Sequence, residues 1–353
     1  MTRGRGPQIF ARPVLAVAVI AIVILMPNIL SGNRYWLTVL TLLAINILMV
    51  SSLRSVTLIN EISLGQVGFA VIGAYTHANL VMKVGLSFWP AMILSGVLAA
   101  FIALLLGYPF LKVKGIYFSI LTLLTAETFR LVAYYWKDVT GGTLGLVGIP
   151  APEPLNLFGR VIEFKTINNY YYIAVGVVII ALFVLYHFER AYISFQWRGI
   201  RDDSMLAGAV GVNVIGFKMV NFTISAFMAG ISGALFAAFQ HNLSSDGTSR
   251  FAVTTSIYLL VYMVVGGTSR FIGPLIGTTV LTLVAESTRS MAEYQPMITG
   301  AIAILVMIFL PMGLAGVASQ IRGWVRPGRR PPAVAAPAGG EAPRADSGAA
   351  GDG

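Results

Sequence analysis

Arg198 to Gln240 reads RGIRDDSMLAGAVGVNVIGFKMVNFTISAFMAGISGALFAAFQ, and its two halves follow different rules. The first half predicts a short surface helix. Asp202 and Asp203 supply oxygen acceptors at the position where a helix start has unpaired N–H groups and a positive dipole end. Met205, Leu206, Ala209 and Val210 then share one face at helical spacing, and Gly211 is free to take the left-handed turn that ends a helix. After Lys218 the chain is apolar and uncharged as far as Asp246. Within that run Ser225, Ala229, Gly233 and Ala237 recur every four residues, as do Ala226, Gly230, Ala234 and Ala238. Two adjoining stripes of small side chains let another helix approach closely in lipid.

The rest of the chain supplies the lipid. Apolar residues make up 57% and charged residues 11%, against roughly 25% charged in soluble domains. Such a chain cannot cover itself with polar groups in water. The expected fold is therefore all-α, a polytopic membrane bundle of about ten spans of ~20 residues. Charges punctuate the spans at 13–30, 35–53, 62–82, within 84–111, 115–136, 169–188, 219–240, 251–268, 271–285 and within 296–318. The span at 271–285 is short enough to be tilted or half-embedded. The run from Pro13 is longer than a signal-peptide core and lacks a clean cleavage site, so it reads as an uncleaved first span.

Orientation follows from the basic residues. With the N-terminus inside, Arg34, Lys83, Arg130, Lys137, Arg160, Lys165, Arg250 and Arg289 fall outside. That leaves sixteen of the 24 Lys and Arg inside, which places both termini in the cytoplasm. The net charge of +10 needs no nucleic-acid partner, since inner loops collect Lys and Arg. The domain reading is a basic N-terminus over 1–12, a membrane domain over 13–318, and a tail over 319–353. The tail is rich in Pro, Ala, Gly and Arg and too poor in large apolar residues to fold alone. Residues 189–218 form the longest inner loop and 137–168 the longest outer loop. The outer one carries TGGTLGLVGIPAPEP from Thr140, where Gly141, Gly142, Gly145 and Gly148 bend the chain and three prolines stiffen it.

A helix seated tightly in a bundle, with a short capped helix just outside, suits a transporter driven by a separate engine. The Arg198–Gln240 stretch resembles the coupling loop of LivM-type permeases of branched-chain amino acid ABC transporters. Arg201, Asp202, Asp203, Ala207, Ala209, Gly211, Asn213 and Lys218 carry the resemblance, with Ser225, Ala226, Phe227, Ala229, Gly230, Gly233 and Ala234 behind them. Ser204, Leu206 and Gly208 depart from it. The Thr140–Thr143 run is similar as well, and so are Ser63 to Phe69 and Gly266 to Pro274. In the last of these, Gly273 and Gly277 form a close-packing pair. Asn60-Glu61 stands where the family carries Gly-Gln. The resemblance covers about 37–312.

The resemblance implies an inner-membrane permease subunit of a bacterial importer for branched-chain or related amino acids. Its partners would be a LivH-like second permease, two LivG/LivF-like ATPases and an extracytoplasmic solute-binding protein. Arg201, Asp202, Asp203, Met205, Leu206, Ala209 and Gly211 would meet an ATPase. Glu61, Ser63 and Gln66 are candidates for the pathway. Thr140, Gly141, Gly142 and Thr143 are candidates for the face that receives the binding protein.

This chain carries no ATPase of its own. A phosphate loop needs Gly before Lys-Ser/Thr, and the sole Lys-Ser/Thr pair, Lys165-Thr166, follows Phe164. No nucleophile–base pair supports an enzyme, and no cofactor is expected on this chain; ATP is used by partner subunits. The chain has no Cys, and His77, His187 and His241 show no ligand spacing, so no metal site is expected. His77 reads as a buried hydrogen-bonding residue. Charges in or near spans are functional candidates by default. Glu127 and Arg130 are three apart and read as a structural pair near the outer interface. Glu61 is placed near the inner end of its span beside Arg54, within reach of water, and Glu286 at an interface. A second class of function stays open on these charges: a self-sufficient secondary transporter or channel, using Glu61 or the Glu127–Arg130 pair for ion coupling.

Overall fold

The computed structural model describes residues 33–157, 160–162, 166–247, 250–289, 294–310 and 313–316. All of them belong to a unit that ends at Gly316. The expected first span at 13–30 and the tail over 319–353 lie outside the described residues.

Helices dominate. In chain order they are α1 (Arg34–Thr57), α2 (Gln66–Met82), α3 (Phe88–Phe110), α4 (Ile116–Tyr135), the single turn α5 (Lys137–Thr140), and α6 (Ile167–Arg190). These are followed by α7 (Tyr192–Asp202), α8 (Ser204–Ala209), α9 (Val214–Gln240), α10 (Val253–Gly266), α11 (Gly273–Ser287) and α12 (Gln295–Phe309). Among the described residues, six segments are long and apolar enough to cross a membrane: α1, α3, α4, α6, α9 and Met297–Gly316. α10 is a shorter apolar helix, and α2 and α11 have 17 and 15 residues.

Two expected bounds shift for physical reasons. The span expected from Met219 begins at Val214, because Asn213 Oδ1 accepts the Gly216 N–H at 3.0 Å and caps the helix there. The span expected from Ile62 becomes helical only at Gln66. Before it, Asn60 takes a left-handed φ of 61° and residues 61–65 run irregularly.

α9 is the axis of the bundle. Its most apolar window is 72% buried, against 39% for α3 and 28% for α4, and it packs on α1, α2 and α3. α3 and α4 instead expose Ile93, Val97, Phe101, Leu105, Ile116, Tyr117 and Leu124. Apolar stripes of that extent match a lipid environment rather than water.

Short strands add to the expected helices. β1 (Leu146–Val147) pairs antiparallel with β4 (Asn242–Leu243), and β2 (Leu155–Leu157) pairs with β3 (Arg160–Ile162). The glycines between α5 and β1 turn the chain into extended segments whose backbone groups need partners, and these short ladders supply them.

Candidate functional site

The α7–α8 segment lies at the N-terminal end of α9. Asp203 sits between the two helices in an extended conformation, and its Oδ1 accepts the N–H groups of Met205 (2.8 Å) and Leu206 (3.0 Å). Those N–H groups, Leu206 first and Met205 second, hold its carboxyl below the usual aspartate range. The cap is Asp203 alone. Asp202 is the last residue of α7 and caps nothing, so the expected double-aspartate start is corrected: one helix ends where the other begins.

Gly211 ends α8 at φ +90°, as its position predicted. Met205, Leu206 and Val210 are 82%, 64% and 73% exposed, and Ala209 is exposed with them. Ala207 faces inward. Arg201 and Asp202 are exposed beside this apolar tip. Trp197 is buried in α7 and donates from Nε1 to the carbonyl of Phe217 at 2.9 Å, which fastens the segment to the first turns of α9.

Directly beneath lies a buried ion pair. Lys218 Nζ, on α9, donates to Glu61 Oε1 at 2.7 Å, with side chains 6% and 3% exposed. Glu61 Oε2 accepts the N–H of Gly115, the residue before α4, at 3.2 Å. The expectation that Glu61 lies beside Arg54 is corrected, although Glu61 does line a cavity that opens toward exposed residues. Arg54 forms its ion pair with Glu189 of α6, donates to the Thr268 carbonyl at 3.1 Å and faces the Phe271 ring. A cavity of about 300 Å3 separates the Glu61–Lys218 pair from Arg201, Asp202, Asp203 and Ser204.

One pathway candidate joins the helix stripe. Gln66 Nε2 donates to Ser225 Oγ at 2.8 Å, and Ser225 Oγ donates to the Ser52 carbonyl at 2.6 Å, all buried. Ser63 is also buried and accepts the Gly65 N–H at 3.2 Å.

Above these groups the small residues do what their spacing suggested. A Cβ on Gly233 would lie 2.0 Å from the Ala70 carbonyl oxygen, and one on Gly230 would lie 2.7 Å from Ala99 Cβ. From the other side, a Cβ on Gly73 would lie 2.1 Å from the Gly230 oxygen. α2 and α3 therefore touch α9 through backbone. Ala229, Ala234 and Ala237 are wholly buried in the same contact zone. Gly273 and Gly277 seat α11 on α10 in the same way, with added Cβ atoms 1.8 Å from the Gly267 oxygen and 2.2 Å from the Tyr262 oxygen.

The Gly-rich loop meets the C-terminal end of α9. Thr140 is buried and donates to the Ala133 carbonyl at 2.6 Å. Gly141 and Gly142 have φ of 76° and 62°, and Thr143 is exposed. His241 ends α9 in a left-handed turn, and its carbonyl accepts the N–H groups of Gly148 and Ile149, each at 3.0 Å. Glu127 and Arg130 pair as expected (Nε–Oε2 2.9 Å), and Arg130 also holds the Ser245 carbonyl at 2.5 Å. The same chain segment is thus tied to α4. The Thr140–Thr143 group and the Glu61–Ser63–Gln66 group occupy opposite ends of α9 and form separate places.

Sequence reasoning missed the Lys218 partner, the Arg54–Glu189 pair and the Trp197 bolt. A signal existed for the first. Glu61 and Lys218 are lone opposite charges, each just before an apolar run, at the same expected depth. His77 is buried against Phe88, ring centroids 5.2 Å apart, but neither ring nitrogen has a hydrogen-bond partner, which corrects the hydrogen-bonding role expected of it. Among the described residues, no group of three or more His, Cys, Asp or Glu is placed to hold a metal ion. Glu286 pairs with Arg289 at 3.1 Å.

Residues 35–311 match the family model described as branched-chain amino acid transport system / permease component. Two curated relatives are each 32% identical over 269 residues, 71% of this chain. Both carry the name high-affinity branched-chain amino acid transport system permease protein LivM, one from Escherichia coli (strain K12) and one from Salmonella typhimurium. The match spans 63% of the length of each relative. No solved structure gives a significant match.

Proposed function

This chain belongs to the family of branched-chain amino acid transport system permease components, and we propose that it is the membrane subunit of an ABC importer for branched-chain or related amino acids. In this reading it works in the cytoplasmic (inner) membrane of a bacterium, with about ten spans and both termini in the cytoplasm. Two LivG/LivF-like ATPases supply the energy, a LivH-like permease completes the pathway, and an extracytoplasmic binding protein delivers the solute. The chain itself holds no cofactor; ATP is consumed by the partners.

The observation that carries the reading is the exposed apolar tip of α8, set on a capped turn and fastened through Trp197 to α9, whose most apolar window is 72% buried. An apolar patch that neither packs in the core nor belongs to a membrane-length helix fits a protein partner. A motor pressing there would move α9, and with it α2 and α3, whose backbones it touches. In this reading the Gly-rich loop, at the other end of α9, is the face that receives the binding protein. The self-sufficient transporter fits less well. Its candidate carboxylate Glu61 is buried and held by Lys218 rather than open to an ion.

The test is ATP-dependent uptake of labelled leucine in membrane vesicles containing the chain, the second permease, both ATPases and the binding protein. Deleting Arg201–Val210 is expected to abolish uptake while membrane insertion persists. Normal uptake by the deletion variant would refute the coupling role.

A further inference from the structure

We propose that the buried Glu61–Lys218 ion pair is the tie through which movement of the α7–α8 segment reaches the 61–65 segment before α2 and the head of α4. The proposal rests on the importer reading above and names residues that reading does not use.

The geometry is specific. Lys218 lies in the first turns of α9, one residue beyond Phe217, whose carbonyl takes the Trp197 bond from α7. Glu61 lies in the irregular turn between α1 and α2, held there by the left-handed Asn60. Its second oxygen holds the Gly115 N–H at the start of α4, where the positive end of a helix dipole favours an anion. One carboxylate thus joins three segments distant in sequence: the head of α9, the approach to α2 and the head of α4.

Stability alone gives little reason for such a pair. Desolvation of both charges offsets most of their attraction, and an apolar pair of similar volume often serves as well. A charge pair does differ from an apolar contact in being directional, so it transmits pulling as well as pushing. Without the pair, the head of α9 could shift while the 61–65 segment and the head of α4 stayed behind.

The experiment uses the complete transporter in proteoliposomes and reads solute moved per ATP hydrolysed. Two chains are compared with the natural one. In Glu61→Gln/Lys218→Met both charges are removed together, so no charge is left buried alone. In Glu61→Cys/Lys218→Cys, introduced into a chain that has no other cysteine, a short bis-methanethiosulfonate forms a disulfide with each thiol, releasing methanesulfinate, and so replaces the ion pair by a covalent link that an added reducing agent cuts. The neutral chain is expected to retain its ATPases and their hydrolysis while solute moved per ATP falls about ten-fold, a usual size for coupling between two sites. The bridged chain is expected to couple like the natural one, and to lose that coupling when the bridge is cut. Should the neutral chain fail to insert, the bridged chain alone decides, since cutting the bridge compares one folded protein with itself. Unchanged coupling in the neutral chain, or equal coupling before and after cutting, overturns the tie. Absence of ATP-driven uptake by the natural chain would instead overturn the importer reading beneath it.

Discussion

Asp203 shows how much one side chain decides. α8 has six residues, too few to hold themselves helical in water, so its existence depends on the two N–H groups that the Asp203 carboxylate accepts. Replacing it by Ala is expected to speed hydrogen exchange at Met205 and Leu206 and to lower uptake, whereas Ser or Asn, which also cap, restores both in part. Slow exchange in the Ala variant would contradict this. The pH dependence has a definite sign. The carboxyl is held below its usual value in the folded chain, so the cap's contribution is full above the usual aspartate range. It is lost as pH falls through the depressed value. The protection of Met205 and Leu206, taken as their exchange relative to the intrinsic rate at each pH, should therefore fall only on acidification and hold steady on going alkaline.

Among the elements, α9 owes its place to residues with almost no side chain. A Cβ on Gly233 or Gly73 would meet backbone within 2.1 Å, while nothing lies within 4 Å of one on Gly176 in α6. Gly233→Val should therefore cost on the order of 1–3 kcal/mol by overpacking, seen as a lower unfolding temperature in detergent. Gly176→Val should leave that temperature nearly unchanged, and equal effects at the two positions would contradict the packing described. Gly145 makes a similar case at the loop: φ is +71°, and a Cβ there would lie 1.9 Å from the Leu243 oxygen. Gly145→Ala is expected to break the β1–β4 ladder and to impair uptake delivered by a binding protein while basal ATP hydrolysis continues. Unimpaired delivery would remove the loop from the account.

For the molecule as a whole, local pattern was legible and distant pairing was not. The four-residue spacing of Ser225, Ala229, Gly233 and Ala237 announced a close-packed helix, because helical period and side-chain size are local properties. Gly211 announced a turn for the same reason. Lys218 looked like the charge that ends a loop, and only its partner, 157 residues away, lets it sit inside a helix and inside the core. His77 was expected to find a hydrogen bond, and it is enclosed by an aromatic neighbour instead. That Met205 and Leu206 would meet an ATPase is implied only by the family resemblance, since their exposure is a property of the folded chain.

The central claim is that the tip of α8 faces the cytoplasm and meets a motor there. Met205→Cys puts a lone thiol on that tip in a chain without other cysteines, and its reaction with a membrane-impermeant maleimide can be compared in intact cells and in inside-out vesicles. The account predicts no labelling from outside the cell, and labelling in inside-out vesicles that bound ATPase blocks; labelling of intact cells would contradict it.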